Sequence, residues 1–250
     1  MDGGMVTVDS GEPVLVTLVG LVFLAAVLSL DDTSLAQTWL CQPLPAGILA
    51  GIVSGDTGTG LAVGLPLQLL IVSDLPVGHT HIGEHVSAVV ACVGAVILTG
   101  HRLVPTLHGE INAETGLLGW IILAAVLFHL AGRWIINLEH KFHLTWMLEG
   151  SWSLRDGTLE RFEKIQLRCL VITSFRGMVL FILWLTLLVI AWIPLFNRLP
   201  HRIVGGLSHL PWLVPAIAVG VLCERYGLRN CWHYVFGGSV LAYGVIRLLG

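Results

Sequence analysis

Apolar residues in this chain gather in long runs that charged residues interrupt only near the ends. The first run, Val14–Leu30, carries no charge and stops at Asp31 and Asp32. Its length lies at the lower limit for crossing a hydrocarbon core of about 30 Å. We predict a first membrane span here, retained in the protein because no basic region or small-residue cleavage site marks a signal peptide.

The next apolar stretch differs because a polar, glycine-rich turn divides it. Leu44–Val53 and Leu61–Val72 are each too short to span a bilayer, and residues 54–60 separate them. Unwound backbone at membrane depth is tolerated only where protein or a watery cavity surrounds it, and transporters commonly build substrate sites at such breaks. The pattern predicts two half-length helices that form a broken or re-entrant element.

Further apolar runs predict additional helices. One of these is again short, two have full length, and two lie near the end of the chain: Val86–Leu98, Leu117–Ile136, Cys169–Phe196, Leu210–Leu222 and Trp232–Leu249. Tryptophans gather near the ends of these runs and period-two alternation is absent, which favours helices over barrel strands. We predict an all-α fold, a polytopic membrane helix bundle with broken, re-entrant half-helices, forming a single membrane domain over residues 1–250.

One long polar segment, at about residues 137–168, interrupts this pattern. It holds five of the 13 lysines and arginines, namely Lys141, Arg155, Arg161, Lys164 and Arg168. Because basic residues accumulate in cytoplasmic loops, we expect this segment to form a cytoplasmic hairpin.

Composition excludes several classes of protein. The chain is 55% hydrophobic and only 12% charged, and its mean hydropathy of +0.85 does not suit a soluble enzyme or a disordered chain. A net charge of −3 argues against nucleic-acid binding. The five cysteines lie far apart, so we interpret them as small apolar residues inside helices.

The densest polar cluster is the loop at residues 74–85. His81, Glu84 and His85 match the H-x-x-E-H pattern of one metalloprotease class, and His79 is a candidate further ligand. Glycines and a proline in the loop do not suit the regular helix that this pattern needs, so we predict no metal ion and no cofactor. We expect Asp74, His79, His81 and Glu84 to lie along a substrate pathway. A water-exposed loop and a membrane metalloenzyme stay open as alternatives.

Four polar side chains within or beside apolar runs each have two interpretations. Asp56 either caps a helix that begins near Thr59 or touches substrate. Gln68 suits the hydroxyl groups of a neutral sugar, but bonding to a neighbouring helix is equally reasonable. Arg133 and Arg176 are expected to extend to the membrane interface, although a functional role stays open.

The glycine-rich run carries a resemblance to a known family. Its small, acidic and amide positions fill a pattern of spaced glycines with one aspartate, followed by Glu or Gln: Gly51, Gly55, Asp56, Gly60, Gly64 and Gln68. In this the sequence resembles enzyme IIC, the membrane channel component of the mannose-fructose-sorbose class of bacterial phosphotransferase systems. The likeness covers about residues 14–205.

The resemblance implies a subunit that conducts a hexose or related sugar across the bacterial cytoplasmic (inner) membrane by alternating access. It implies a membrane partner, enzyme IID, and the phosphocarrier proteins IIA and IIB. Phosphoryl chemistry would take place on those partners, so the chain itself is expected not to be an enzyme, and we expect it to form an oligomer in the bilayer. The turn at residues 78–84 departs from the family's usual turn and the chain ends early, so a non-transporting accessory subunit stays an alternative.

Overall fold

The protein is built from helices. A computed structural model describes residues 11–33, 38–71, 84–101, 103, 113–157, 159–226, 233 and 236. Within these ranges the regular elements are α1 (Gly11–Thr33), α2 (Pro43–Ser54), α3 (Thr57–Leu70), α4 (Val86–Leu98), α5 (Ala113–Arg155), α6 (Leu159–Leu187), a π-helical segment (Leu188–Trp192), α7 (Ile193–Phe196), α8 (His201–Leu207) and α9 (Leu210–Tyr226). The prediction of an all-α bundle is confirmed.

The helices fall into two length classes. Among the described residues, four stretches are long and apolar enough to cross a membrane: Val14–Asp32, Ala113–Arg155, Leu159–Phe196 and His201–Val221. Helices α2, α3 and α4 are apolar but shorter, as the pattern predicts. The last predicted run, Trp232–Leu249, lies outside the described residues except for His233 and Phe236.

Helices α2 and α3 form a tight hairpin, which confirms the predicted broken element. Only Gly55 and Asp56 separate the two helices. Gly55 has φ +78°, a left-handed conformation that glycine adopts without a steric penalty, and it ends α2. The second helix begins at Thr57, two residues before the expected start near Thr59 and four before the apolar run at Leu61, because the polar Thr57–Gly60 stretch forms its first turn.

Four glycines let the two hairpin helices touch backbone to backbone. A Cβ on Gly47 would lie 2.6 Å from the carbonyl oxygen of Gly60 and 3.0 Å from the Cα of Gly64. One on Gly51 would lie 2.9 Å from the Cα of Thr57. Because the opposing atoms are backbone, they cannot turn aside, and the glycine spacing therefore fixes how closely the helices pack.

Helix α4 lies at the centre of the bundle. All residues from Val86 to Val96 are buried, and the helix packs against α1, α2, α3, α5 and α6. Its 13 residues span only about 20 Å. Protein therefore surrounds this short helix, which does not reach across the bilayer by itself.

Helices α5 and α6 form a long antiparallel pair that reaches beyond the bundle. The 43 residues of α5 extend for about 64 Å, twice the thickness of a hydrocarbon core. The polar segment 137–168 is therefore the end of two long helices and the turn between them.

Two tryptophans fasten α5 to the π-helical segment that follows α6. The Trp120 indole donates a hydrogen bond to the Trp192 carbonyl at 2.9 Å, and the Trp192 indole donates to the Trp120 carbonyl at 3.0 Å. Their rings stack with centroids 4.4 Å apart. This reciprocal pairing satisfies both indole N–H groups within the bundle.

We expect Gly47→Ala to destabilise the hairpin by roughly 1–3 kcal/mol, because its new methyl group overlaps backbone atoms. Gly220→Ala in α9 is the matched control, since a Cβ there meets nothing within 4 Å. Thermal unfolding of both variants in mild detergent measures the difference. Equal unfolding temperatures would contradict the close backbone contact.

Candidate functional site

Asp56 occupies the tip of the α2–α3 hairpin and caps α3. Its carboxylate accepts hydrogen bonds from the Thr59 backbone N–H at 3.1 Å and from the Thr59 hydroxyl at 2.9 Å. The same hydroxyl accepts a bond from the Leu103 backbone N–H at 3.0 Å, which ties the tip to the chain beyond α4. The capping interpretation of Asp56 is confirmed, whereas a contact with substrate stays a prediction.

Gln68 lies at the other end of the hairpin, where it bonds to the neighbouring helix. Its side-chain oxygen accepts a hydrogen bond from the Leu44 backbone N–H at 3.2 Å, in the first turn of α2. Its amide nitrogen donates to the side-chain oxygen of Gln42 at 3.2 Å. Gln68 therefore provides a partner for α2, whose own N-cap residue, Gln42, makes no capping bond.

Glu84 plays the corresponding role for α4. Its side chain is fully buried, and Oε1 accepts hydrogen bonds from the backbone N–H and the hydroxyl of Ser87, both at 3.1 Å. Its backbone N–H donates to the His129 carbonyl at 3.3 Å. Gly132 of α5 makes room for it, because a Cβ on Gly132 would overlap the Glu84 side chain.

Three of the six side chains predicted to contact substrate thus satisfy the first turns of the three short helices. Asp56 serves α3, Gln68 serves α2 and Glu84 serves α4. Asp56 and Gln68 stand at opposite ends of α3, about 18 Å apart at the helical rise per residue. Gln68 therefore does not lie near the glycine turn, and one sugar cannot touch both side chains at once.

A buried charge cluster joins α4, α5 and α6. Nη1 of Arg176 lies 3.0 Å from Oε2 of Glu139, and Nη2 lies 3.5 Å from Oε2 of Glu84. The Thr173 hydroxyl donates to Oε1 of Glu139 at 2.5 Å, and Nε2 of His143 lies 3.5 Å from the same oxygen. One guanidinium thus serves two carboxylates from different parts of the chain, away from water.

This cluster corrects two expectations. Arg176 is only 7% exposed and does not extend to the membrane interface, because Glu84 and Glu139 hold it inside. Glu139, expected in the polar hairpin, is equally buried. The other arginine expected to extend outward, Arg133, is exposed on the surface of α5, and its place at the membrane interface stays a prediction.

The turn before α2 is held by the end of α1. One oxygen of Asp31 accepts bonds from the Thr38 backbone N–H at 2.8 Å and the Thr38 hydroxyl at 2.9 Å. The other accepts from the Cys41 N–H at 3.2 Å. Burial, with the Asp32 and Asp31 carboxylates nearby, raises the pKa of the Cys41 thiol. Cys41 is a buried turn residue, and its assignment to a helix is wrong.

The remaining predicted site residues, Asp74, His79 and His81, lie outside the described residues. Of the polar segment at residues 74–85, the structure places Glu84 and His85 directly before α4. Sequence reasoning missed the roles of Arg176, Glu139 and Asp31. A lone charge inside an apolar run was the available signal for Arg176, but nothing along the sequence identified its partners.

Comparison with known proteins decides the family. The model of the sorbose-specific IIC component of the phosphotransferase system (PTS) matches residues 15–248. The chain belongs to this family. It is a IIC component of a sugar phosphotransferase system, a multi-pass membrane protein, and the metalloenzyme alternative finds no support.

One similar solved structure supports the fold, and a second is similar over most of its length. A structure described as a membrane protein is 17% identical, with a TM-score of 0.67 over 96% of this chain and 93% of that chain. A cryo-EM structure of the mannose transporter ManYZ with microcin E492 is 16% identical, with a TM-score of 0.48 over 96% and 93% of the two chains. No curated protein matches.

We expect Arg176→Met to cost about 3–5 kcal/mol of stability, because it leaves two buried carboxylates without their cation. Arg161→Met is the matched control. Arg161 pairs with Glu149 at 2.6 Å on the exposed part of the α5–α6 pair, where an ion pair contributes about 0–1 kcal/mol. Unfolding in detergent compares the two variants.

Adding Glu139→Gln to Arg176→Met removes one of the stranded charges, so the double variant should recover part of the loss. Equal effects of the Arg176 and Arg161 substitutions would show that the cluster is not a buried charge network.

Proposed function

We propose that this chain forms the sugar pathway of a bacterial phosphotransferase permease and conducts a hexose or related sugar across the cytoplasmic membrane. In this proposal it works with the IID membrane protein, while IIA and IIB phosphorylate the incoming sugar and the chain itself catalyses no reaction. The observation that carries the proposal is the α2–α3 hairpin, two half-length helices broken at Gly55–Asp56, in a chain of the IIC family.

The hairpin suits a transport pathway for a physical reason. Backbone that leaves helical geometry at membrane depth needs protein or water around it, and transporters place substrate sites at such breaks. A neutral sugar is recognised through its hydroxyl groups, for which an amide supplies both donors and acceptors. We therefore assign sugar contact to the Gln68 end of the hairpin, together with Asp74, His79 and His81, which follow it in the sequence.

Asp56 marks the opposite end of the same pathway. Its carboxylate accepts two hydrogen bonds from Thr59, so its main contribution is to keep the tip of the hairpin folded. We propose that the hairpin moves as a unit during alternating access, because its close glycine contacts make it rigid. The bundle joined by the Arg176 cluster forms the framework against which it moves.

Exposed apolar surface supports the need for membrane partners. The most apolar parts of α1 and of the stretch Leu159–Phe196 are each only 28% buried within the chain. Lipid covers part of this surface, and we assign the rest to the IID subunit and to further copies of the chain. The whole chain forms one membrane domain, with the polar hairpin at residues 137–168 in the cytoplasm.

Sugar uptake tests this proposal directly. The chain is co-expressed with IID, IIA and IIB in a bacterial strain that lacks other hexose permeases, and uptake of radiolabelled hexoses and amino sugars is measured. Uptake that depends on the chain supports the proposal. Equal uptake with and without the chain, in membranes that contain IID, would favour an accessory subunit.

Gln68→Leu should lower uptake about two- to tenfold, because losing a hydrogen bond to the sugar costs about 0.5–1.5 kcal/mol. Gln68→Glu keeps the acceptor for the Leu44 N–H but removes the amide donor, so uptake should fall with less loss of stability. Gln166→Leu on the exposed surface of α6 is the control. Unchanged uptake in both Gln68 variants would remove this residue from the pathway.

A further inference from the structure

Three side chains with different metal-binding atoms meet where α1, α2 and α4 come together. They are the carboxylate of Asp32 at the end of α1, the thiol of Cys41 just before α2, and the imidazole of His85 just before α4. One ligand atom from each lies within 4.8 Å of the other two, and all three residues are buried. Nε2 of His85 is 3.9 Å from Oδ1 of Asp32.

This set of donors suits zinc. Zn²⁺ binds thiolate sulfur, imidazole nitrogen and carboxylate oxygen with bonds of about 2.0–2.3 Å in a tetrahedral arrangement. Two such bonds place their donor atoms about 3.3–3.8 Å apart. The three donors therefore need to approach one another by up to about 1.5 Å to bind one ion.

The charge around these residues also favours a cation. Asp31 and Asp32 are adjacent and buried, and the first hundred residues contain no lysine or arginine. A dication bound by one carboxylate, one thiolate and a neutral imidazole is formally neutral, and neutrality lowers the cost of burying these groups away from water. Hard cations such as Mg²⁺ do not select a thiolate, so the cysteine points to a softer metal.

A second shell of hydrogen bonds already holds the cysteine in place. Asp31 accepts bonds from the backbone N–H groups of Thr38 and Cys41, and from the Thr38 hydroxyl. Groups that orient the ligands from behind are typical of metal sites. Here they fix the turn that carries Cys41 against the end of α1.

We propose that Asp32, Cys41 and His85 bind one Zn²⁺ ion, with a water molecule as the fourth ligand. Cys41 binds as the thiolate, and its proton passes to solvent. The ion joins the chain just before α2 to the C-terminal end of α1 and to the start of α4. It therefore anchors the open end of the α2–α3 hairpin to these two helices. Of the histidines in the polar segment at residues 74–85, this site uses only His85. The site does not depend on sugar transport.

Metal analysis of the full chain tests the proposal. The chain is expressed with supplementary zinc, purified in mild detergent without a histidine tag, and analysed by plasma mass spectrometry. We expect about one zinc ion per chain, falling at least tenfold in Cys41→Ala and in His85→Gln. Cys92→Ala, another buried cysteine, and His201→Gln, an exposed histidine, should keep the metal.

Cobalt gives a direct view of the ligands. Co²⁺ in place of zinc should produce a near-ultraviolet thiolate charge-transfer band that Cys41→Ala lacks. A strong chelator should lower the unfolding temperature of the unsubstituted chain but not that of Cys41→Ala.

Two results would overturn the site: an unsubstituted chain without zinc, or Cys41→Ala that retains it. If the variants fail to fold, the zinc content and cobalt spectrum of the unsubstituted chain still decide. A chain that binds zinc but transports no sugar would refute the proposed function and leave this site intact.

Discussion

The hydrocarbon core offers no water to a backbone amide, so a helix that stops at membrane depth needs protein groups for its first N–H donors. Helices α2, α3 and α4 are all too short to cross the bilayer, and each meets this need through a side chain. Asp56 caps α3 locally, Glu84 reaches into the first turn of α4, and Gln68 serves α2 from the other helix of the hairpin. The polar residues of the apolar region are thus first of all the means by which short helices persist there.

A structural role of this kind does not exclude contact with a sugar. An amide or a carboxylate can form more hydrogen bonds than one capping contact requires. A substrate that passes such a group can exchange partners with the helix end, which is one reason that transporters combine half-helices with substrate sites. The same residues therefore connect the stability of the hairpin with its proposed function.

Much of the fold could be predicted from the sequence, because the lengths of the apolar runs and the positions of the glycines between them indicate where membrane helices begin and end. The break at Gly55–Asp56 and the short α4 follow from those signals. The ends of α5 and α6 could not be predicted in this way. Hydropathy shows where a helix leaves the apolar region, but not where the helix ends. α3 begins early because Asp56 caps it, so a threonine and glycine stretch that looks like a loop becomes helical.

The charge cluster lay beyond prediction for a different reason. Glu84, Glu139 and Arg176 are far apart in sequence, and each taken alone has a reasonable position at a membrane interface. Only the packing of α4 against α5 and α6 brings them together, with Gly132 leaving the space that Glu84 fills. The turn that holds Cys41 was missed for a similar reason. The residues around Cys41, namely Asp31, Asp32 and His85, come from the end of α1 and from just before α4, so the sequence near Cys41 does not identify them.

The burial of α4 on every side bears on how the protein is made. Val86 to Val96 leave no surface for lipid, and a 13-residue helix has too few residues to cross the bilayer, so α4 is a poor candidate for insertion as an independent helix. Its surroundings come from both earlier and later parts of the chain, since α5 and α6 are synthesised after it. The packing that buries α4, and the ion pair between Arg176 and the buried Glu84 at its start, are therefore complete only after α5 and α6 have been synthesised.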